Sequence, residues 1–307
     1  MTMDSLPLTA ALLGKLFPIK GSDIERYYKH HLSDYEAWTQ KEHATDWVLL
    51  PENIGEYLSI DETQLCEEVY TILSNKAGHG GQGTVVAIVK GTKADVVSRI
   101  LMMTPESERA KVKEITMDFS DSMYSIAKQC FPNATIVIDC FHIVKRLCEG
   151  LEEMRLRFKR LAQVENKKAA VAFAQNEARK AKNRQYYRRK HKKERARLLF
   201  DLYPQMQEGY SLICKVRDIF KRKLTIDEAK HRLHEWYKDV NICTLREIKA
   251  ARDCIKSREV EVLNYFINRA TNASAESLNS KMKGFRAQLH GIADIPFFMY
   301  RICTIFG

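Results

Sequence analysis

The sequence predicts a mixed α/β protein whose sheet is followed by a long all-helical module. Three short β-rich runs come first, and helix and strand then alternate twice, which is the order of a mixed sheet with crossover helices. Beyond residue 142 the strands stop, and helical, charged sequence continues to about residue 270. The chain of 307 residues has 45% hydrophobic content, which is enough for a sizeable core and excludes global disorder.

The first strands follow a helical beginning. Residues 1–55 are predicted to be helical and mildly acidic, with prolines separating the segments. The pattern then changes, and β-branched runs predict strands at 57–61, 68–73 and 84–90. The glycine-rich segment 78–83 between the last two is a natural hairpin connection.

The next elements alternate between helix and strand. A helix at 93–103 precedes a strand at 112–118, and a helix at 123–130 precedes a continuous apolar strand at 134–139. A long amphipathic helix then begins. Its apolar positions recur every three or four residues and are Val144, Leu147, Leu151, Met154, Phe158 and Leu161.

Positive charge is concentrated in one block. The chain has 50 Lys and Arg against 39 Asp and Glu, a net charge of +11, and residues 151–200 alone hold 17 basic and 5 acidic side chains. This block therefore carries the whole excess, and it predicts a surface for a polyanion such as DNA. A solvated helical face is the alternative.

The densest part of the block interleaves its basic residues with Tyr186 and Tyr187, a mixture that suits DNA backbone contacts with occasional base stacking. The candidate DNA-binding residues are Arg179, Lys180, Lys182, Arg184, Arg188, Arg189, Lys190, Lys192, Lys193, Arg195 and Arg197.

Composition excludes several other classes of protein. No apolar run approaches the roughly 18 residues of a membrane helix, and the beginning of the chain lacks a secretory signal. The eight cysteines contain no CxxC pair, which argues against a zinc ribbon and a disulfide scaffold. We therefore expect a cytoplasmic protein without membrane partners.

Two carboxylates occur at predicted strand ends. Asp61 ends the first strand and Asp118 ends the fourth, so both are expected at one rim of the sheet. Carboxylates held together repel each other unless a divalent cation lies between them, and two bridged Mg²⁺ ions support in-line phosphoryl transfer. Glu62 is expected to point the other way, and Asp121 is expected in the next helix.

The third carboxylate of such a site is predicted to be Glu276. If residues 272–283 form a helix, Asn272, Glu276, Asn279 and Lys283 share one face, which suits metal and phosphate binding. An exposed polar stripe would show the same periodicity.

Four segments together resemble the DDE transposases of bacterial insertion sequences, of the ISL3 type. They are 58–63 (LSIDET), 115–118 (ITMD), 131–145 (FPNATIVIDCFHIVK) and the late segment 272–291. The likeness covers roughly residues 35–300. It implies a ribonuclease-H-like catalytic domain, a mixed sheet with flanking helices, interrupted by a large all-helical insertion before the last acidic residue.

The resemblance also implies the roles of individual residues. Asp61, Asp118 and Glu276 are expected to be catalytic and to bind two Mg²⁺ or Mn²⁺ ions. Asp139 and His142 match an accessory motif of related transposases, although Asp139 could instead cap the helix that begins at Phe141. The full accessory set is Asp139, His142, Asn272, Asn279 and Lys283.

The expected domains follow from these assignments. They are a helical segment at 1–55, a catalytic domain at 56–142 with 268–307, and an insertion at 143–267 that contains the basic block 151–200. Relatives carry an N-terminal zinc-binding and helix-turn-helix region, but the first cysteine here is Cys66. Recognition of the element ends is therefore expected from a separate polypeptide or from residues 1–55, or it does not occur.

The predicted function is that of a transposase catalytic subunit that cleaves and transfers DNA strands. Its partners would be double-stranded DNA, both element ends and target, and further copies of itself on DNA, in association with a bacterial nucleoid. Two alternatives stay open: a catalytically inactive DNA-binding remnant and a metal-dependent, structure-selective nuclease. Trp236 resembles an aromatic that contacts an unpaired base in relatives, but a core position is the favoured interpretation.

Overall fold

Two compact units make up the chain. The computed structural model describes residues 3, 6–165, 200–289 and 294–307. The first unit is Met1–Asp139 with Arg269–Gly307, and the second is Cys140–Asn268. The expected domain boundaries near residues 55, 142 and 268 stay predictions.

The described residues of the first unit form a six-stranded mixed sheet. Its strands are β1 (Trp47–Leu49), β2 (Tyr57–Leu65), β3 (Glu68–Asn75), β4 (Val85–Lys90), β5 (Glu114–Met117) and β6 (Thr135–Ile138). In space they run in the order β1-β4-β3-β2-β5-β6. The pairs on the β1 side of β2 are antiparallel, whereas β2, β5 and β6 are parallel. Flanking helices complete the fold and confirm the predicted mixed α/β class.

The helices are numbered in chain order over the described residues. They are α1 (Ala10–Leu16), α2 (Gly21–Tyr27), α3 (Ala94–Leu101), α4 (Glu106–Arg109), α5 (Asp121–Cys130), α6 (Cys140–Glu165), α7 (Pro204–Lys221), α8 (Ile226–Ile242), α9 (Arg246–Ser257), α10 (Glu259–Leu263), α11 (Tyr265–Asn268), α12 (Ala273–Gln288) and α13 (Ile295–Phe306). A π-helical turn covers Tyr28–Leu32, and 3-10 turns cover Asp34–Ala37, Pro51–Asn53 and Lys76–Gly78.

Strand β1 lies inside the segment that was predicted to be helical. Trp47 to Leu49 pair antiparallel with β4, with Val48 opposite Ile88. A three-residue strand at a sheet edge is too short to show the alternation of apolar and polar residues that predicts a strand. Its pairing with β4 alone identifies β1 as a strand.

Strand β2 continues past the predicted end at Asp61 and reaches Leu65. The prediction that Asp61 ends the strand is therefore wrong. Asp61 is still paired, opposite Ile72 of β3, although β5 ends at Met117 on the other side of β2. Pairing with the antiparallel strand β3 thus continues along β2 beyond the point at which the parallel strand β5 ends.

The connections that follow β2 and β3 both use left-handed backbone, the first over two residues and the second over a longer loop. Cys66 and Glu67 join β2 to β3, and both have positive φ (51° and 67°), the conformation that a two-residue hairpin requires. The glycine-rich connection between β3 and β4 also takes left-handed backbone, at Gly80 and Gly83. Antiparallel pairing of β3 with β4 confirms the predicted hairpin.

Helices α12 and α13 pack on one side of the sheet. Leu278, Met282 and Phe285 of α12 are almost fully buried there. Their partners in this core are mainly strand and α13 residues: Val48, Leu65, Tyr70, Ile72, Val85, Ile88, Phe298, Met299 and Ile302. The apolar side of α12 is thereby fixed against the sheet, and this packing also orients its polar side.

All described elements of the second unit are helices. Leu147 and Met154 of α6 are fully buried, as the predicted amphipathic helix requires, and α6 packs against α7 and α9. Trp236 of α8 is 1% exposed and its Nε1 donates to the Leu212 carbonyl at 2.9 Å, which agrees with the core interpretation.

The eleven candidate DNA-binding residues from Arg179 to Arg197 lie outside the described residues. In the described part of the chain, no helix combines the length and the hydrophobicity needed to cross a membrane.

We expect Phe285→Ala to lower the free energy of unfolding by about 3–5 kcal/mol, because it leaves a cavity in the core under α12. Phe285 is 1% exposed and its ring stacks on Phe298 with 5.8 Å between centroids. Urea denaturation followed by circular dichroism measures the change. Gln288→Ala, an exposed position on the same helix, is the control and should change stability by less than about 0.5 kcal/mol. Equal midpoints for the two variants would contradict this packing.

Candidate active site

Three aspartates lie level with one another on the parallel strands. Ser59 of β2 pairs with Thr116 of β5, and the same register continued by two residues brings Asp61 level with Asp118. Strands β5 and β6 end at the pair formed by residues 117 and 138, so the next residues, Asp118 and Asp139, are also level. Side chains at one level of neighbouring parallel strands point to the same side of the sheet.

Asn272, immediately before α12, connects these strand ends. It is completely buried, and its Nδ2 donates to the Ile60 carbonyl at 3.3 Å and to Asp118 Oδ1 at 3.4 Å. Its backbone N–H donates to Asp139 Oδ2 at 3.1 Å, and its Oδ1 accepts from the Thr116 hydroxyl at 3.2 Å. The side chain, with both donors and an acceptor, therefore fixes the beginning of α12 to β2 and β5, and its backbone N–H adds the bond to Asp139 after β6.

Further polar side chains extend from the Asn272 contacts towards the start of β5. Thr116 also hydrogen-bonds Ser59 at 2.8 Å between the two hydroxyl oxygens. At the start of β5 the buried carboxylate of Glu114 pairs with Lys76, with 3.0 Å between Oε1 and Nζ. Burial lowers the pKa of Lys76, and the negative charges of Glu114 and Asp139 oppose that shift.

Asp61 is held from two sides. Its Oδ1 accepts the Glu62 backbone N–H at 2.9 Å, and its Oδ2 accepts Nδ2 of Asn279 at 2.7 Å. Asp61 and Asn279 are 9% and 6% exposed. The other amide atom of Asn279, Oδ1, is buried and has no hydrogen-bond partner among the described residues.

Glu276 lies in the first turn of α12, between the two asparagines. Its backbone N–H donates to the Asn272 carbonyl at 3.0 Å, and Asn279 follows three residues later on the same face. The Glu276 and Lys283 side chains are exposed. Within the described ranges, no group of three or more His, Cys, Asp or Glu side chains is arranged to hold a metal ion. Glu276 therefore shares the helix face with the asparagines that bind Asp61 and Asp118, without closing a compact triad.

Glu62 follows Asp61 on β2. Partial burial, the larger cause, and the negative charge of Asp118 raise the pKa of its carboxyl. The charge of Asp118 therefore acts on Glu62, the neighbour of Asp61 along the strand.

The remaining predicted residues are placed as follows. Asp121 is the first residue of α5, as predicted. Asp139 precedes α6, and its carboxylate accepts the backbone N–H of Asn272, the residue immediately before α12. His142 lies in the first turn of α6, in the second unit, and its ring stacks edge-on against Phe141. The roles of Asp61, Asp118, Glu276 and the accessory residues stay predictions.

Sequence reasoning missed the polar residues below the aspartates. Glu114, Thr116 and Asp118 alternate with apolar residues along β5, and Ser59 and Asp61 do so along β2. A period of two places such residues on one side of a sheet. That alternation is the available signal, but it is hard to recognise because β5 has only four residues and the polar run Glu62, Thr63 and Gln64 interrupts the alternation in β2.

The sequence comparisons agree with the order of these motifs. The family model of the ISL3-type DDE transposases, described as a transposase, matches residues 58–302. This range contains Asp61, Asp118, Asp139, Asn272 and Glu276. Searches of curated proteins and of solved structures give no match to this chain.

We expect Asn272→Ala to lower the free energy of unfolding by about 2–3 kcal/mol, because it removes the side-chain partner of the Ile60 carbonyl, the Thr116 hydroxyl and the Asp118 carboxylate, whereas the backbone bond to Asp139 remains. Urea denaturation gives the value. Ser280→Ala, an exposed position on the same helix, serves as the control with a change below about 0.5 kcal/mol. If both variants have the stability of the wild type, Asn272 does not hold α12 to the sheet.

We expect Glu62→Gln to raise the melting temperature at pH 7. The raised pKa of Glu62 means that its ionised form is less favourable in the folded than in the unfolded protein. Wild type therefore loses stability relative to the variant as the pH rises from the ordinary glutamate range, about pH 4, through the raised pKa. Melting curves from pH 4 to 8 test this, with the exposed Glu25→Gln as control. A difference that is constant over this range would contradict it.

Proposed function

Because this chain belongs to the DDE transposase family of the ISL3 type, we propose that it cleaves DNA strands and joins them to target DNA. The proposed catalytic residues are Asp61, Asp118 and Glu276. The observation that carries the proposal is the level position of Asp61 and Asp118 on neighbouring parallel strands. The helix that carries Glu276 is hydrogen-bonded to both aspartates through Asn272 and Asn279. Aspartates of neighbouring strands with a glutamate-bearing helix packed beside them are a suitable arrangement for phosphodiester chemistry.

The proposed cofactors are two divalent cations, Mg²⁺ or Mn²⁺. The donors available at Asp61 and Asp118 are carboxylate oxygens, the ligands that these hard cations prefer, and they occur without competing thiols or imidazoles in the contacts described above. Asp61, Asp118 and Glu276 would hold the ions. When bound, such ions polarise the phosphodiester and activate the attacking oxygen.

The residues of the chain supply position and charge for two successive reactions. In cleavage, the oxygen of water bonds to phosphorus and the strand leaves as a free 3′-hydroxyl. In strand transfer, that 3′-oxygen loses its proton and bonds to a target phosphorus, the P–O3′ bond of the target strand breaks, and the released 3′-oxygen takes up a proton. Asn272 and Asn279 keep the Asp118 and Asp61 carboxylates in fixed orientations, so little reorganisation is needed when DNA binds.

DNA contact is proposed for the basic block 151–200 and for Lys283. The block carries the net positive charge of the chain, so its contribution to binding should fall as salt rises. Lys283 is exposed two turns beyond Glu276 on the same face, where an ammonium group can approach a phosphate. A separate polypeptide for end recognition and self-association on DNA complete the proposal.

We expect Asp61→Asn, Asp118→Asn and Glu276→Gln each to reduce Mg²⁺-dependent nicking of plasmid DNA by at least about a hundred-fold, the scale of losing one electrostatic stabiliser. Asp139→Asn is the matched control, because its amide oxygen can still accept the Asn272 N–H. It should retain activity within a few-fold. Gel assays of nicking and of oligonucleotide joining measure both reactions, with circular dichroism to verify folding.

Each alternative predicts a different result in the same assays. If wild type and Asp61→Asn cut equally, the assignment of Asp61 is wrong, and if only Asp139→Asn loses activity, Asp139 replaces Asp118. Salt-sensitive DNA binding without cleavage by wild type would indicate the inactive remnant. Cleavage of branched DNA without joining would indicate the nuclease.

A further inference from the structure

Of the two polar atoms of the Asn279 amide, only Nδ2 has a hydrogen-bond partner among the described residues. Nδ2 donates to Asp61 Oδ2 at 2.7 Å, and this orientation is required because a carboxylate accepts and does not donate. The orientation leaves Oδ1, a buried atom, without a hydrogen-bond partner among the described residues. A buried carbonyl oxygen of this kind is rare in folded proteins and calls for a ligand.

This oxygen lies beside the Asp61 carboxylate, because Nδ2 and Oδ1 belong to the same planar amide. The Asp61 oxygens lie next to this amide and to the backbone of β2: Oδ1 accepts the Glu62 backbone N–H and Oδ2 accepts Nδ2 of Asn279. Glu276 is three residues before Asn279 on the same helix face. The amide oxygen therefore lies beside the Asp61 carboxylate, on the helix that carries Glu276.

The carboxylates alone do not form a complete metal shell. Among the described residues, no three Asp, Glu, His or Cys side chains are grouped to hold an ion. A hard divalent cation accepts amide oxygens as well as carboxylates, so a neutral oxygen can supply a missing ligand.

We propose that Asn279 is a metal ligand: its Oδ1 coordinates the divalent cation bound at Asp61, while its Nδ2 holds that carboxylate in place. The inference rests on the proposed function, since it assigns a further ligand to the same site. It also gives a reason for an asparagine at this position. An aspartate could supply the oxygen but not the donor to Asp61, and leucine of similar size could supply neither.

The test measures Mn²⁺ binding to the full chain without DNA, from the loss of the free Mn²⁺ signal in electron paramagnetic resonance. We compare wild type with Asn279→Leu, Asn279→Asp and Asp61→Asn, and use Ser280→Ala on the next, exposed residue of α12 as the control. We expect Asn279→Leu to weaken Mn²⁺ binding at least tenfold and Ser280→Ala to leave it unchanged. Asn279→Asp should bind Mn²⁺ at least as tightly as wild type, because it keeps an oxygen ligand and adds charge.

Melting temperatures with and without Mn²⁺ give a second readout. Asn279→Asp places a carboxylate against Asp61, so it should melt below wild type without metal and gain more from Mn²⁺, since a ligand that binds only the folded state stabilises it. Unchanged Mn²⁺ affinity in Asn279→Leu overturns the inference. Equal weakening in the leucine and aspartate variants also overturns it, because Nδ2 alone would then be responsible.

The outcome for Asp61→Asn separates this inference from the proposed function. If Asp61→Asn loses Mn²⁺ binding but Asn279→Leu keeps it, the metal site stands and Asn279 is not a ligand. If Asp61→Asn also binds Mn²⁺ as wild type does, the proposed metal site at Asp61 is itself wrong.

Discussion

The first unit depends on the burial of one uncharged side chain, Asn272, between the ends of three strands. Its backbone and amide groups bind Asp139, Asp118, Ile60 and Thr116, which no apolar or charged side chain of that size could do together. In a buried position each of those groups would be costly if left without a partner. The start of α12 is consequently fixed to the strands that carry the aspartates, and the position of Glu276 follows from it.

The sheet meets α12 with two kinds of surface. Towards β3 and β4 it presents apolar side chains to Leu278, Met282 and Phe285, whereas β2 and β5 present hydroxyls and the Asp61 carboxylate. The helix crosses both, so its apolar packing and its amide contacts fix the same orientation. The C-terminal residues strengthen this side of the unit, because the Thr84 N–H donates to the Phe306 carbonyl at 2.8 Å.

The second unit is inserted between Asp139 and Arg269, two residues that both belong to the first unit. Closing a long connection costs only slightly more chain entropy than closing a short one, so such an insertion is compatible with a stable sheet. The sequence places the residues proposed for chemistry and those proposed for DNA binding in different segments. The acidic residues proposed for the chemistry lie in the first unit, and the charge excess of residues 151–200 lies in the sequence between its two segments.

The sequence by itself determined the order of strands and helices, the two faces of α12 and the acidic candidates, because these depend on periodicity and on side-chain chemistry within a few residues. Tertiary structure decided the rest. Edge strand β1 exists only through its pairing with β4, and Asp61 lies within β2 because β3 extends that strand beyond β5. The level of Asp61, Asp118 and Asp139, and the bonds that Asn272 and Asn279 make to them, join residues far apart in the chain. No local pattern encodes such distances, because the register of the strands and the packing of α12 fix them together.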